Sequence, residues 1–259
     1  MKKKHENYKE LIWVLAKTDF KLRYQGSVLG YVWALLKPLL TFAILNFVFS
    51  SIFNPRNTGT EYFSIQLLIG IMMFNFFSEG TSSGLMSLMS KSALVTKIYI
   101  PRWTIILAST LNSLLIFLMN LIVIVAFFVY YQFMPSFSAI ALFAFFIILT
   151  YILILIFSFF SAPLFLKFRD LQQIWDVLLS ALFYASPIVY PLSILPEWSH
   201  KVILSNPIAF IIHYTKNSLI ENRLPDFLRV SMFLVFLLLA GAISFLVYRK
   251  LEKRIAETI

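Results

Sequence analysis

The chain has 259 residues, 60% of them hydrophobic and 13% charged, with no cysteine and a net charge of +10; its mean hydropathy is +0.83. A soluble domain is nearer half apolar and a quarter charged, so a bilayer is the expected solvent, and disulfide, thiol and cysteine–metal chemistry are excluded. The basic balance does not by itself point to nucleic acid, because in a membrane protein the distribution of Lys and Arg over the loops carries the information.

Residues 1–29 precede the apolar runs. Glu6, Lys9, Glu10, Lys17, Asp19, Lys21 and Arg23 interrupt any apolar core behind Lys2, Lys3 and Lys4, so the segment does not read as a signal peptide. Tyr8, Leu11, Ile12, Leu15 and Leu22 share one side of a helix, a stripe that Asp19 breaks. The pattern predicts a basic amphipathic helix lying at the membrane surface, with a solvated basic tail as the alternative. Gly26 and Gly30 form a small-xxx-small pair of the kind that lets helices approach closely.

An all-α integral membrane fold with six transmembrane helices follows, at about 30–53, 62–83, 104–131, 137–160, 171–190 and 228–248, with a tail at 249–259. The run from Leu39 to Phe53 is too short to cross alone, so the first span begins before Pro38, near Gly30, and Lys37 lies inside it. Six spans place both termini on one side. With that side cytoplasmic, all but five of the 22 Lys and Arg lie inside, the five being Arg56, Lys201, Lys216, Arg223 and Arg229.

Two connections are more than connectors. Residues 84–103 place Leu85, Leu88, Met89 and Ser92 at helical spacing and stop at Pro101, which suits a short amphipathic helix that docks a cytoplasmic partner or rests on headgroups. Residues 191–227 hold Pro191, Pro196, Pro207 and Pro225 around the apolar fragment "NPIAFIIHY". That fragment, opening at Asn206 and Pro207, is too short to span. It reads as an interfacial or re-entrant segment between the fifth and sixth spans, or as a surface loop.

Catalytic motifs are missing. "EGTSSGLM" lacks the lysine of a P-loop; His5, His200 and His213 are scattered without metal spacing; no nucleophile elbow occurs. The ionisable groups inside the spans are Lys37, Glu79 near the end of the second, and Asp176 beside Trp175 in the fifth. Such groups usually face a bundle interior or a cavity, although Lys37 can also snorkel to headgroups. Depth alone allows a Lys37–Glu79 or a Lys37–Asp176 pair. Tyr31 and Trp33 suit interfacial anchors, or rings on which sugars stack.

The stretch "KTDFKLRYQGSVLGYVWALLKPLLTFAILNFVFSSIF" (17–53) strongly resembles the first-span signature of ABC-2 type permeases that export polysaccharides, the membrane subunits of O-antigen and teichoic-acid exporters. Arg23, Tyr24, Ser27, Leu29, Gly30, Trp33 and Pro38 carry the match. "LVTKIYIPRW" (94–103), "FLKFRDLQQIWDVLLSALFYASPIVYPLSILP" (165–196) and "NPIAFIIHYTKNSLI" (206–220) extend it along essentially the whole chain.

The resemblance implies a permease of the bacterial inner (plasma) membrane that pairs with a second copy of itself. Two cytoplasmic ATP-binding subunits would bind ATP and magnesium, leaving this chain with no cofactor, metal or catalytic residue of its own. The cargo would be a glycan on a polyprenyl pyrophosphate; capsule, teichoic-acid and glycolipid exporters share the layout. It also implies a coupling helix within 84–103, with Ser87, Lys91 and Lys97 as candidate residues, and re-entrant helices near the exit, with Asn206 and Pro207. Arg23 and Lys37 become candidate partners of the pyrophosphate, with Lys21 as a helper. Tyr31 and Trp33 stand at the entrance, and Glu79, Trp175 and Asp176 are candidates along the pathway. An ion-driven secondary transporter and a membrane glycosyl- or acyltransferase are the alternatives from other classes.

Overall fold

The computed structural model describes residues 7–50, 62–97 and 100–252, without the side chains of 24 and 95–97. Among the described residues every regular element is helical: α1 (Tyr8–Tyr24), α2 (Val32–Phe49), α3 (Phe63–Ser90), α4 (Ser92–Lys97), α5 (Arg102–Tyr130), α6 (Phe137–Lys167), α7 (Leu171–Ala185), a 3-10 turn (Leu192–Ile194), α8 (Glu197–Leu204), α9 (Pro207–Ile220) and α10 (Phe227–Glu252). Five of them, α2, α3, α5, α6 and α10, are long and apolar enough to cross a membrane. The chain is thus an all-helical membrane protein.

The centre of the bundle is α3. Within its most apolar window 72% of residues are buried, against 17% in α2 and in α10. Helices α5 and α6 flank it, and α2, α7 and α9 also pack on it. Lipid chains are as apolar as leucine, so close packing rather than burial from water holds such a bundle. Interlocked rings supply much of that packing: Phe76 stacks on Phe117 with centroids 4.6 Å apart, and Phe42 meets Phe127 edge-on at 5.0 Å. Ser64 donates to Asn46 Oδ1 at 2.8 Å and pins α2 to α3.

Helix α1 is amphipathic, as its sequence predicts. Asn7 caps it, accepting from the Glu10 amide at 3.5 Å. Tyr8, Leu11, Ile12 and Leu15 are partly buried and Ala16 fully so. Tyr8 meets the Trp103 ring edge-on at 5.7 Å, which seats α1 on the start of α5. Two details differ from the sequence pattern. Leu22 leaves the packed side and is 61% exposed. Asp19 lies on the packed side, because it has a cation to meet there.

Gly26 and Gly30 do not serve as a helix-contact pair. Their φ angles are +81° and +48°, and a Cβ on Gly26 would have nothing within 4 Å. They turn the chain between α1 and α2 in backbone conformations that other residues adopt only with strain.

Three expected boundaries also shift. The helix of the second expected span, 62–83, continues past 83, since no breaker interrupts it before Lys91, and α3 runs on to Ser90. The separate helix expected within 84–103 is therefore only the six-residue α4. The fifth expected span, 171–190, is a 15-residue helix that ends at Ala185. Pro187 pushes Ser186 into extended backbone, with ψ at 148°. At ~1.5 Å per residue α7 reaches only about 22 Å, against the ~30 Å of a hydrocarbon core. The far end of the first span, residues 51–53, and the tail from 253 lie outside the described residues, as do Arg56 and residues 1–6.

Candidate functional site

The candidate residues fall at two ends of the bundle and on one open flank. At the first end α1 is tied to α3 by charge. Arg23, in the last turn of α1, pairs with Glu79 in the middle of α3, and Asp19, one turn earlier, pairs with Lys91, the residue that closes α3. The Lys91 ammonium also reaches Ser109 Oγ of α5 at 3.4 Å. Asp19 and Arg23 are four apart, so both project toward the same neighbour. The two pairs differ in exposure. The Lys91 and Asp19 side chains are 13% and 24% exposed, whereas Arg23 and Glu79 are 37% and 26% exposed. The Arg23–Glu79 pair is therefore the more open to solvent and to competing anions.

Tyr31 belongs to the same corner. Its ring stacks on Phe20 of α1, with centroids 5.2 Å apart and planes at 13°. Trp33 and Lys37 are one turn apart on α2 and both exposed. The Lys37 carbonyl accepts from Thr41 Oγ1 at 3.1 Å, one turn on, beside the buried Pro38. Depth in the span suggested Lys37–Glu79 or Lys37–Asp176. Among the described residues neither forms: Arg23 occupies Glu79, Lys37 points away from the bundle, and Asp176 is exposed. Glu79 also borders a small notch of about 20 Å³, walled by Pro38, Phe76, Phe117, Asn75 and Asn120 among others.

Ser87 and Lys91 belong to α3 and its cap, not to a separate coupling helix. Ser87 is buried and donates to the Gly84 carbonyl at 2.6 Å. Lys97 ends α4, and its side chain lies outside the described residues.

On the open flank Trp175 and Asp176 part company. The Trp175 indole N–H donates to Thr81 Oγ1 at 3.1 Å, and its ring stacks on Phe157 with centroids 3.9 Å apart. Trp175 thus seals α7 against α3 and α6. Asp176 faces outward, amid Gln173, Ile174, Val177 and Leu178, all exposed. Only Leu179 of α7 is buried.

At the second end a cavity of about 990 Å³ opens between the 187–193 turn, α8, α9 and α10. Asn206 caps α9, accepting from the Ile208 amide at 3.1 Å, and its amide donates to Ser186 Oγ at 3.3 Å. Pro207 takes the first helical position, where its missing N–H costs nothing. Most of α9 is buried against α3 and α6, so this segment is not a surface loop. Its Lys216 was not among the residues singled out from sequence. Only 8% exposed, it donates to the carbonyls of Pro187 and Ile188 at 2.7 and 2.8 Å. Gly70 of α3 makes the room, since a Cβ there would lie 2.9 Å from Lys216 Cε. The carbonyls just past α7 have no helical N–H to meet, and the ammonium supplies donors for them. Burial, and then the charges of Lys216, His200 and Arg229, hold the His213 imidazole below its ordinary value, at about 4. The one sequence signal for this site was that Lys216 stands among the few cations of the outer connections.

A helical bundle with five apolar helices, a basic amphipathic first helix, a short α7 and a buried α9 is the scaffold of a membrane protein, and comparison with known proteins places it. The chain belongs to the ABC-2 type transporter family, whose model matches residues 10–220. Among its relatives, the O-antigen export system permease protein RfbA of Klebsiella pneumoniae is 28% identical, over 96% of this chain and 95% of that one. The protein of the same name from Myxococcus xanthus is 25% identical over 85% and 84%. The polysialic acid transport protein KpsM of Escherichia coli is 22% identical over 91% of each.

Proposed function

We propose that this chain is the permease subunit of an ABC exporter that carries a polysaccharide, linked to a polyprenyl pyrophosphate, from the cytoplasmic leaflet across a bacterial inner membrane. Two copies form the pathway, and separate ATP-binding subunits drive it. The similarity to O-antigen export permeases over nearly the full length of both chains supports the class of cargo. The KpsM relatives, named for polysialic acid transport, are less similar at 22%.

The observation that carries the transport reading is the exposed Asp176. A carboxylate on the open side of a helix at membrane depth is tolerated against water or a protein partner, not against lipid chains. Helix α7 is also too short to cross alone, and α2 buries little of its surface. Both leave faces free for a second copy with a wet path between them. With both termini cytoplasmic, α7 and the 187–193 turn complete a sixth passage, and α9 dips back from the outer side.

In this reading Arg23, Tyr31, Trp33 and Lys37 stand at the cytoplasmic entrance. A pyrophosphate oxygen competes with Glu79 for the Arg23 guanidinium, whose planar fork suits phosphate. Lys37 meets the same headgroup as a point charge. Movement of α1 then pulls on Lys91 through Asp19, at the junction with α4, where the ATP-binding subunits dock.

The test is purification of the tagged chain from its native membrane. The expected result is a complex with a P-loop ATPase whose hydrolysis rises when polyprenyl-pyrophosphate glycan is added. A chain that purifies without an ATPase and transports on an ion gradient contradicts the reading.

A further inference from the structure

Four cations, Lys201, Lys216, Arg223 and Arg229, line the one cavity between α8, α9 and α10. Two carboxylates, Glu197 and Glu221, line it as well. If both termini are cytoplasmic, these four are all but one of the Lys and Arg on the outer side, where such residues are sparse. Their convergence on one cavity is therefore not an effect of a basic surface.

The cations are not equally committed. Lys216 is held by the Pro187 and Ile188 carbonyls. Arg229 reaches Asp226 at 3.4 Å and the Tyr214 hydroxyl at 3.5 Å, and Arg223 reaches Glu221 at 3.3 Å. Both of these ion pairs are largely exposed and so hold weakly. Lys201 makes no ion pair among the described residues, although Glu197 precedes it by one helical turn.

The opposite wall is apolar. Phe210 and Phe233 stack at 4.5 Å, and Met232 and Phe236 carry the wall outward on α10. Met232 is 62% exposed and Phe236 44%, and the apolar exposure continues along α10 through Leu239 and Ile243. The cavity thus has a charged end beside the 221–229 turn and α8, where Lys201, Arg223 and Arg229 stand among the carboxylates of Glu197, Glu221 and Asp226, and an apolar side continuous with the lipid-facing surface of a spanning helix. A soluble anion would use the first and leave the second bare.

We propose that this cavity binds an anionic, phosphate-headed lipid. The phosphate sits among Lys201, Arg223 and Arg229, and the chain lies along Met232, Phe233 and Phe236. Lys216 is a positioning residue: it fixes the turn after α7 that forms the cavity floor. A resident phospholipid and the polyprenyl phosphate of a cargo share this chemistry. The inference rests on the orientation proposed above and not on the cargo.

The experiment is native mass spectrometry of the full-length protein, delipidated and titrated with phosphatidylglycerol, polyprenyl phosphate or phosphatidylcholine. Each cation beside an anionic lipid contributes about fivefold in affinity, so K201Q/R223Q is expected to weaken binding of the preferred anionic lipid about thirtyfold. The charge-matched control K9Q/K17Q, on α1, is expected to leave it unchanged. Preference for phosphatidylglycerol identifies a resident phospholipid, and preference for polyprenyl phosphate identifies the cargo carrier. Equal retention of phosphatidylcholine, or equal losses in both double variants, overturns the proposal. Neither result depends on an ATPase or on export, so failure here is separable from failure of the transport reading.

Discussion

The two ends of the bundle use charge in opposite ways. At the α1 end two cations are held by carboxylates of other helices: Asp19 holds Lys91 and Glu79 holds Arg23. At the α8–α9 end the buried Lys216 is held by backbone carbonyls, Arg223 and Arg229 pair with carboxylates of their own segment, and Lys201 makes no ion pair among the described residues. Paired charges between helices fix how two elements move together. A lysine held by backbone carbonyls fixes the turn beside the cavity, and the exposed Lys201, Arg223 and Arg229 line that cavity. The first arrangement suits a mechanical link, and the second suits reception of an anion.

The largest expected effect lies at the receptive end. Lys216→Met leaves two buried carbonyls without donors and should destabilise the protein by about 2–4 kcal/mol, read as a lower midpoint of thermal unfolding in detergent. Lys216→Arg should recover part of the loss. Equal stability of Lys216→Met would mean that Lys216 is not what holds the turn after α7.

The next effect tests the link at the α1 end. A double-mutant cycle over Asp19→Ala and Lys91→Ala should give a coupling of about 1–2 kcal/mol, since both side chains are mostly buried. Additive losses would show that α1 is not tied to the α3–α4 junction through this pair.

The more exposed pair should behave differently. Glu79→Gln should change stability by under ~1 kcal/mol, yet remove the carboxylate that competes with phosphate for Arg23. The concentration of lipid-linked glycan that half-activates ATP hydrolysis should fall by up to about fivefold. A rise in that concentration would show that Glu79 assists headgroup binding rather than competing with it.

The smallest stability effect belongs to Lys37→Met. Lys37 is exposed and makes no ion pair among the described residues, so unfolding should be unaffected while lipid-stimulated hydrolysis declines. Unchanged export and hydrolysis would remove Lys37 from the entrance.

How much of this the sequence carried depends on the range of the interaction. Helical type followed from apolar runs, and the packed face of α1 from Tyr8, Leu11, Ile12 and Leu15, because period and run length are local properties. Asp19 looked like a flaw in that face because its reason is Lys91, 72 residues away. Depth alone allows Lys37 to meet Glu79 or Asp176, but depth does not say which way a helix is rotated, and Arg23 of α1 pairs with Glu79. Gly26 and Gly30 fit a small-residue spacing that either helix contacts or left-handed turns can use, and only backbone angles separate the two. The end of α7 was legible in Pro187, whose effect on the preceding residue is local, but the span was extended past it. Lys216 was out of reach, because its role needs Gly70 to vacate space on a helix distant in sequence.

The central claim, ATP-driven movement of a lipid-linked polysaccharide, is tested most directly in proteoliposomes containing the chain with its ATP-binding subunits. Polyprenyl-pyrophosphate glycan is placed in the leaflet that faces those subunits, and its accessibility to an added glycosidase is followed. The account predicts that ATP makes the glycan resistant to the enzyme, and that omitting ATP or replacing Arg23 with Gln slows or abolishes that protection. Protection that proceeds without ATP, or on an ion gradient alone, would contradict it.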